Sequence, residues 1–243
     1  MDAYRFQDEK SDKFWRIEYA GKDLVVNYGK TGTTGRYQLK VSDSPEACEK
    51  EAKKLIAAKV KKGYIAYPEF DPDGQFYLDD DETGPHPLTS HPKFRAHFTA
   101  DLYYDCFDEE APFGSDEGAD ALMQIEDDIR KNKDFDFAGF PQKMVEKYWD
   151  MVWLPPEDIS RPAVEQLAEK DETNMTQSDM VAYATAFAQI KITGRLDAEL
   201  KQLALRSLRR MEIAVVVLRW HEGGEPSEVI GQMITDLEAF PAD

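Results

Sequence analysis

Cysteine is nearly absent: the 243-residue chain has two, Cys48 and Cys106. Two thiols build neither a disulfide framework nor a four-thiolate zinc site, and the chain reads as a cytoplasmic protein with reduced thiols. Long apolar runs are missing as well. With no stretch of about 18 apolar residues, no membrane-spanning helix is expected, and the polar, acidic opening MDAYRFQDEK does not read as a signal peptide. Histidine is scarce, with His86, His91, His97 and His221 the full set. The sequence holds no His-Glu-x-x-His, Gly-x-Ser-x-Gly, P-loop or dinucleotide glycine pattern. Lys30-Thr31-Gly32 has the wrong residue order for a P-loop, and no repeat recurs at a fixed period. The expectation is a protein that acts by contact and not by bond-making, with no cofactor and no metal.

Positive charge is also in deficit: 30 Lys+Arg stand against 48 Asp+Glu, a net charge of -18. A uniformly acidic surface repels nucleic acid, but the deficit is uneven. Residues 1–68 hold 14 basic and 10 acidic residues, whereas residues 69–243 hold 16 basic and 38 acidic ones. That asymmetry predicts two units with different surfaces. Apolar residues make up 42% of the chain, enough for a globular core.

What is present reads as α+β: a small antiparallel sheet plus one helix, followed by a mainly α-helical domain. Lys13–Tyr19 alternates apolar and polar residues, Asp23–Tyr28 is rich in β-branched residues, and Ala20-Gly21-Lys22 between them suits a hairpin. Three glycines within Gly29–Gly35 mark a loop, and Tyr37–Val41 reads as a third strand. Ser44-Pro45-Glu46 starts a helix as N-cap, first-turn proline and dipole-favoured acid. It is expected to run to about Lys62 and stop at Gly63, burying Cys48, Ala52, Leu55, Ile56 and Val60. Residues 69–93, rich in proline, glycine and acid, read as a linker between a 1–68 domain and a 94–243 domain, with a short strand at Gln75–Leu78. Glu69, Asp71, Asp73, Gly74 and Asp80 approach a calcium-loop spacing, but Pro68 and Pro72 break the flanking helix, so an Asx-type turn is expected.

The second domain predicts helices over Ser115–Asn132 (buried face Ala119, Leu122, Met123, Ile129), Pro141–Trp153, Thr176–Ile192 with a capping box at Thr176–Asp179, Asp197–Trp220 and Pro226–Phe240. Ile213–Leu218, apolar nearly all round, is expected at the centre of a bundle.

The stretch KFWRIEY, followed by VVNYGKTGTTGRYQLKVSDSPEACEKEAKKLIAAKVKKGY, resembles a WGR domain, a family found in poly(ADP-ribose) polymerases and in assorted bacterial proteins. The naming Trp-Gly-Arg triplet is here Tyr28-Gly29-Lys30, followed by the expected Gly32. By length and layout the whole chain resembles uncharacterised bacterial proteins carrying this domain. In the polymerases the domain senses DNA ends, so the resemblance implies that Tyr28 stacks on a terminal sugar and that Lys30 supplies the cation. Arg36, Lys40 and the helix lysines would surround them, the module binding a DNA or RNA end, a nucleotide or a partner protein. Tyrosine stacks over less area than tryptophan, and lysine lacks the bidentate fork of arginine. Nothing resembles the polymerases' catalytic domain.

A second surface comes from acids. Asp108, Glu109 and Glu110 precede the helix start at Ser115, and Asp116 and Asp120 share one helical face. Clustered carboxylates steer association with a basic protein, so the alternative reading is an acidic, immunity-type decoy. Capping alone accounts for Ser115 and Asp116. Arg206, Arg209 and Arg210 are expected to pair with neighbouring acids.

Overall fold

The alternating pattern after Lys13 and the β-branched run after Asp23 become paired strands in the computed structural model, which describes residues 1–80 and 82–243. Strands β1 (Asp2–Gln7), β2 (Asp12–Ala20), β3 (Asp23–Lys30), β4 (Arg36–Val41) and β5 (Ile65–Ala66) form one antiparallel sheet in the order β4-β3-β2-β1-β5. The β2–β3 hairpin turns at Gly21, whose φ of +57° suits glycine. Strand β1 lies in the stretch read above only as a polar opening. Gln75–Leu78 forms no strand.

Helix α1 (Pro45–Lys61) starts as expected, with Ser44 Oγ accepting the Ala47 N–H, and Gly63 follows its end at φ +89°. It covers one face of the sheet. Trp15, Ile17 and Leu24 are buried against Cys48 and Ala52, with Tyr28, Leu55 and Ile56 packed around them. Each buried large side chain contributes about 1.5–3 kcal/mol. Val60, expected in this stripe, is exposed.

The other sheet face buries Phe14, Arg16, Val25, Asn27 and Tyr37. Here the structure departs from the linker reading. Phe70 stacks on Phe14, Tyr37 donates a hydrogen bond to the Phe76 carbonyl, and Tyr77 and Leu78 are buried. Aromatic burial outweighs the local flexibility that the proline and glycine content suggested. The chain divides into compact units Met1–Pro92 and Lys93–Asp243, so residues 69–92 belong with the first unit. Asp71 does form an Asx turn, accepting the Asp73 N–H at 3.1 Å.

The second unit is helical: α2 (Pro92–His97, starting one residue before the boundary), α3 (Asp116–Lys131), α4 (Phe140–Lys143, continued by one wide turn over Met144–Tyr148), α5 (Arg161–Thr193), α6 (Ala198–Leu218) and α7 (Glu228–Ala239). The expected Pro141–Trp153 helix thus ends at Tyr148. On α3 the buried residues include Ala121, Leu122, Ile125 and Ile129, while Ala119 and Met123 are exposed.

Helix α5 begins at Arg161 and not at Thr176. Thr176 is interior, its hydroxyl donating back to the Glu172 carbonyl. The break in this helix is Asp171, with non-helical φ and ψ, whose Oδ1 accepts the Asn174 N–H as a cap would. The bundle's centre is the second half of α5, with Ala182, Ala184, Ala186 and Ala188 fully buried. Small side chains let α3 and α6 approach α5 closely, whereas Ile213, Val216 and Val217 of α6 are only half-buried. Among the described residues no helix is long and apolar enough to cross a membrane.

Candidate functional site

Strand register decides which side chains of the first unit meet. Tyr28 of β3 stands opposite Trp15 on one side and Arg36 on the other, and Lys40 stands opposite Leu24. These residues share the face that α1 covers. Tyr28, Arg36 and Lys40 line one cleft of about 460 Å³ together with Trp15, Leu55 and Lys59. Tyr28 is half-buried, packed against the core cluster while lining the cleft.

Gly29 and Lys30, the rest of the Tyr28-Gly29-Lys30 triplet, fall elsewhere. Lys30 is exposed at the end of β3, paired with Lys13 in the ladder, and does not line the cleft. Gly29 serves packing: a Cβ there would sit 2.9 Å from Gly35 Cα and 3.0 Å from Thr33 Oγ1. The loop after β3 folds back tightly on that glycine. The loop's other anchor is Asp12, which accepts hydrogen bonds from Thr31 Oγ1 at 2.7 Å and from both forks of Arg5 at 2.8 and 2.6 Å. Those bonds, Arg5 first, hold the Asp12 carboxyl at a pKa of about 2.

The cleft is of mixed sign. Glu51, Asp80 and Glu82 also line it. Lys40 pairs with Glu51 at 3.1 Å. Asp80 uses Oδ2 to accept the Leu39 N–H at 2.7 Å on the outer edge of β4. With its seven acids the 69–92 stretch brings the first unit to 14 basic against 17 acidic residues, so the basic surface expected for residues 1–68 is offset. Asp80 was read only in the calcium-type spacing, and its place at the cleft escaped the sequence reading because its partner Leu39 is distant in the chain. Lys59 had a local signal: it lies four residues after Leu55 on the apolar stripe of α1.

In the second unit, Asp108, Glu109, Glu110 and Asp116 line a groove of about 840 Å³ that also holds Glu172, Phe107 and Trp220. Phe107 is 93% exposed. Asp120, expected with this set, does not line the groove. Burial, then Asp116 and Glu117, raises its pKa. Glu110 is engaged within the unit, accepting from Ser227 Oγ at 2.6 Å and lying 2.7 Å from His221 Nε2. Ser115 caps α3 through the Gly118 N–H. Of the arginines on α6, Arg210 forms a buried pair with Asp179, Arg209 pairs with Glu238, and Arg206 donates to the carbonyls of Pro156 and Glu157. Among the described residues no group of three or more His, Cys, Asp or Glu could hold a metal ion.

Residues 1–71 match the WGR domain family. Over 236 residues the chain is 48% identical to the uncharacterised protein YfeS of Escherichia coli strain K12, a match covering 97% of this chain and 96% of YfeS. Protein YehF of the same strain is 46% identical over 65 residues, 27% of this chain and 24% of YehF. A crystal structure of a Bacteroides fragilis protein shows 30% identity over 51% of this chain and 38% of its own, at a TM-score of 0.28.

Proposed function

We propose that this chain, which belongs to the YfeS family of WGR-domain proteins, is a non-enzymatic binding protein whose first unit holds a nucleic-acid end. The observation that carries this reading is the convergence of Tyr28, Arg36 and Lys40 on one open cleft. An aromatic ring with cations beside it suits a nucleotide: the ring takes the sugar or base, and the cations take phosphate oxygens. The cleft's carboxylates fit binding better than catalysis, because Glu51 is held by lysines and Asp80 by a backbone amide. Fluorescence anisotropy with an end-labelled blunt DNA duplex tests the reading. Wild-type protein binds at low salt, and Tyr28→Ala weakens binding by about tenfold. Linear but not circular DNA competes. Absence of wild-type binding in low salt removes the proposal.

The acidic groove supports a second reading, in which the helical unit takes up a basic protein. The exposed carboxylates of Glu109, Asp116 and Glu172 surround the exposed ring of Phe107, a combination of steering charge and apolar anchor. Binding of a lysine-rich protein probe that survives the triple change Glu109→Gln, Asp116→Asn, Glu172→Gln excludes the groove.

A further inference from the structure

Lys59 stands apart from its neighbours on α1. Lys53 pairs with Glu49 and Lys54 with Glu51, whereas Lys50, Lys59 and Lys61 make no ion pair among the described residues, and of these three Lys59 alone is partly buried. Its Nζ lies instead among three rings, 5.3 Å from the centroid of Trp15, 5.7 Å from Tyr28 and 5.0 Å from Tyr64. Cation–π attraction replaces part of the lost hydration. Burial, followed by the charge of Lys62, still lowers the pKa of Lys59. The other charged or titratable groups around it are Arg36, Lys40, Glu51, Asp80 and Glu82 of the cleft and the phenols of Tyr28 and Tyr64. Glu51 accepts from Lys40 and Lys54, and Asp80 accepts from the N–H groups of Leu39 and Glu82. A partly desolvated ammonium that has no carboxylate partner of its own and faces an open cleft gains from an incoming anion.

We propose that Lys59 is the phosphate-reading cation of this cleft, binding the phosphate oxygens of the nucleotide that rests on Tyr28. It thereby fills the role that the Tyr28-Gly29-Lys30 triplet would give to Lys30. The proposal rests on the nucleic-acid-end reading above. Because an anion favours the charged amine, binding draws a proton onto Lys59, and affinity falls as pH rises through the pKa of its unliganded form.

The test uses the full chain and a blunt duplex carrying a 5′-phosphate at one end and a fluorophore at the other, titrated with salt and pH. Lys59→Met weakens binding by about tenfold, lowers the slope of log K against log salt by about one and removes the alkaline fall in affinity. Lys131→Met, the same charge loss in the other unit, changes neither slope nor pH profile. If Lys59→Met does not fold, Lys59→Arg decides, since a guanidinium stays charged throughout: it keeps the affinity and loses the alkaline fall. Wild-type binding that Lys59→Met leaves unchanged in affinity, slope and pH profile overturns the role of Lys59 and leaves the nucleic-acid reading standing. Failure of the wild-type protein to bind the duplex at low salt removes both.

Discussion

At the residue scale, buried charge is the most informative feature. Arg210 is 1% exposed and Asp179 is fully buried, joined by two hydrogen bonds of 2.7 and 2.9 Å. Arg210 also donates to the carbonyls of Leu154 and Pro155, fastening an irregular segment to α5 and α6. Burial pushes the Asp179 carboxyl up to about 7, against the opposing pull of Arg210. A buried pair of this kind is weak evidence for net stability, but breaking it is costly. Asp179→Asn should therefore lower unfolding free energy by about 3–5 kcal/mol in urea titrations, because Arg210 is left charged without a counter-ion. The double change Asp179→Leu with Arg210→Met should recover much of that loss. Asp12 gives a pH-dependent counterpart at the surface. Its depressed pKa contributes stability that is present above the ordinary carboxylate range and lost as pH falls toward about 2. Arg5→Met removes the first cause of that depression, so carboxyl titration by NMR should show the Asp12 midpoint moving up.

At the element scale, Gly29 separates folding from binding. Its Cβ would meet Gly35 Cα, backbone that cannot swing aside. Gly29→Ala should cost about 1–3 kcal/mol in the first unit, read as an earlier thermal transition, while any bound state that still forms keeps its dependence on Tyr28. In α5, Asp171→Ala should cost about 1 kcal/mol through loss of the cap. The elements legible in the sequence are those with local signals: the hairpin at Gly21, the Ser44-Pro45 start of α1, and the capped start of α3 at Ser115. The misread elements depend on distant partners. Strand β1 is defined by its pairing with β2, and the 70–80 stretch by rings that land on Phe14 and Tyr37. Hydrophobicity alone picked Ile213–Leu218 as the bundle centre, yet alanines in α5 hold it, because closeness of approach matters as much as apolar content. The cleft was half legible for the same reason. Tyr28, Arg36 and Lys40 came from the resemblance to WGR domains and share a face through strand pairing, while Asp80 reaches it only through folding.

At the scale of the whole molecule, charge sets the competition between the two units. The first unit carries 14 basic and 17 acidic residues, the second 16 and 31. A polyanion approaching the Tyr28 cleft therefore does so in the field of a tethered, strongly negative body. That repulsion acts over about a Debye length, roughly 30 Å at 0.01 M salt and 3 Å at 1 M. The short-range contacts of Tyr28, Arg36 and Lys59 are far less screened than this long-range field. The fragment 1–92, which has its own core on both faces of the sheet, should thus bind the duplex several-fold more tightly than the full chain at low ionic strength. The two affinities should converge as salt rises, so the full chain shows the shallower salt dependence. The opposite result, with the full chain binding more tightly at every salt concentration, would mean that the helical unit contributes contacts of its own. Stopped-flow measurements sharpen the distinction. A purely electrostatic penalty appears in the association rate and vanishes in salt, whereas added contacts appear in the dissociation rate and persist.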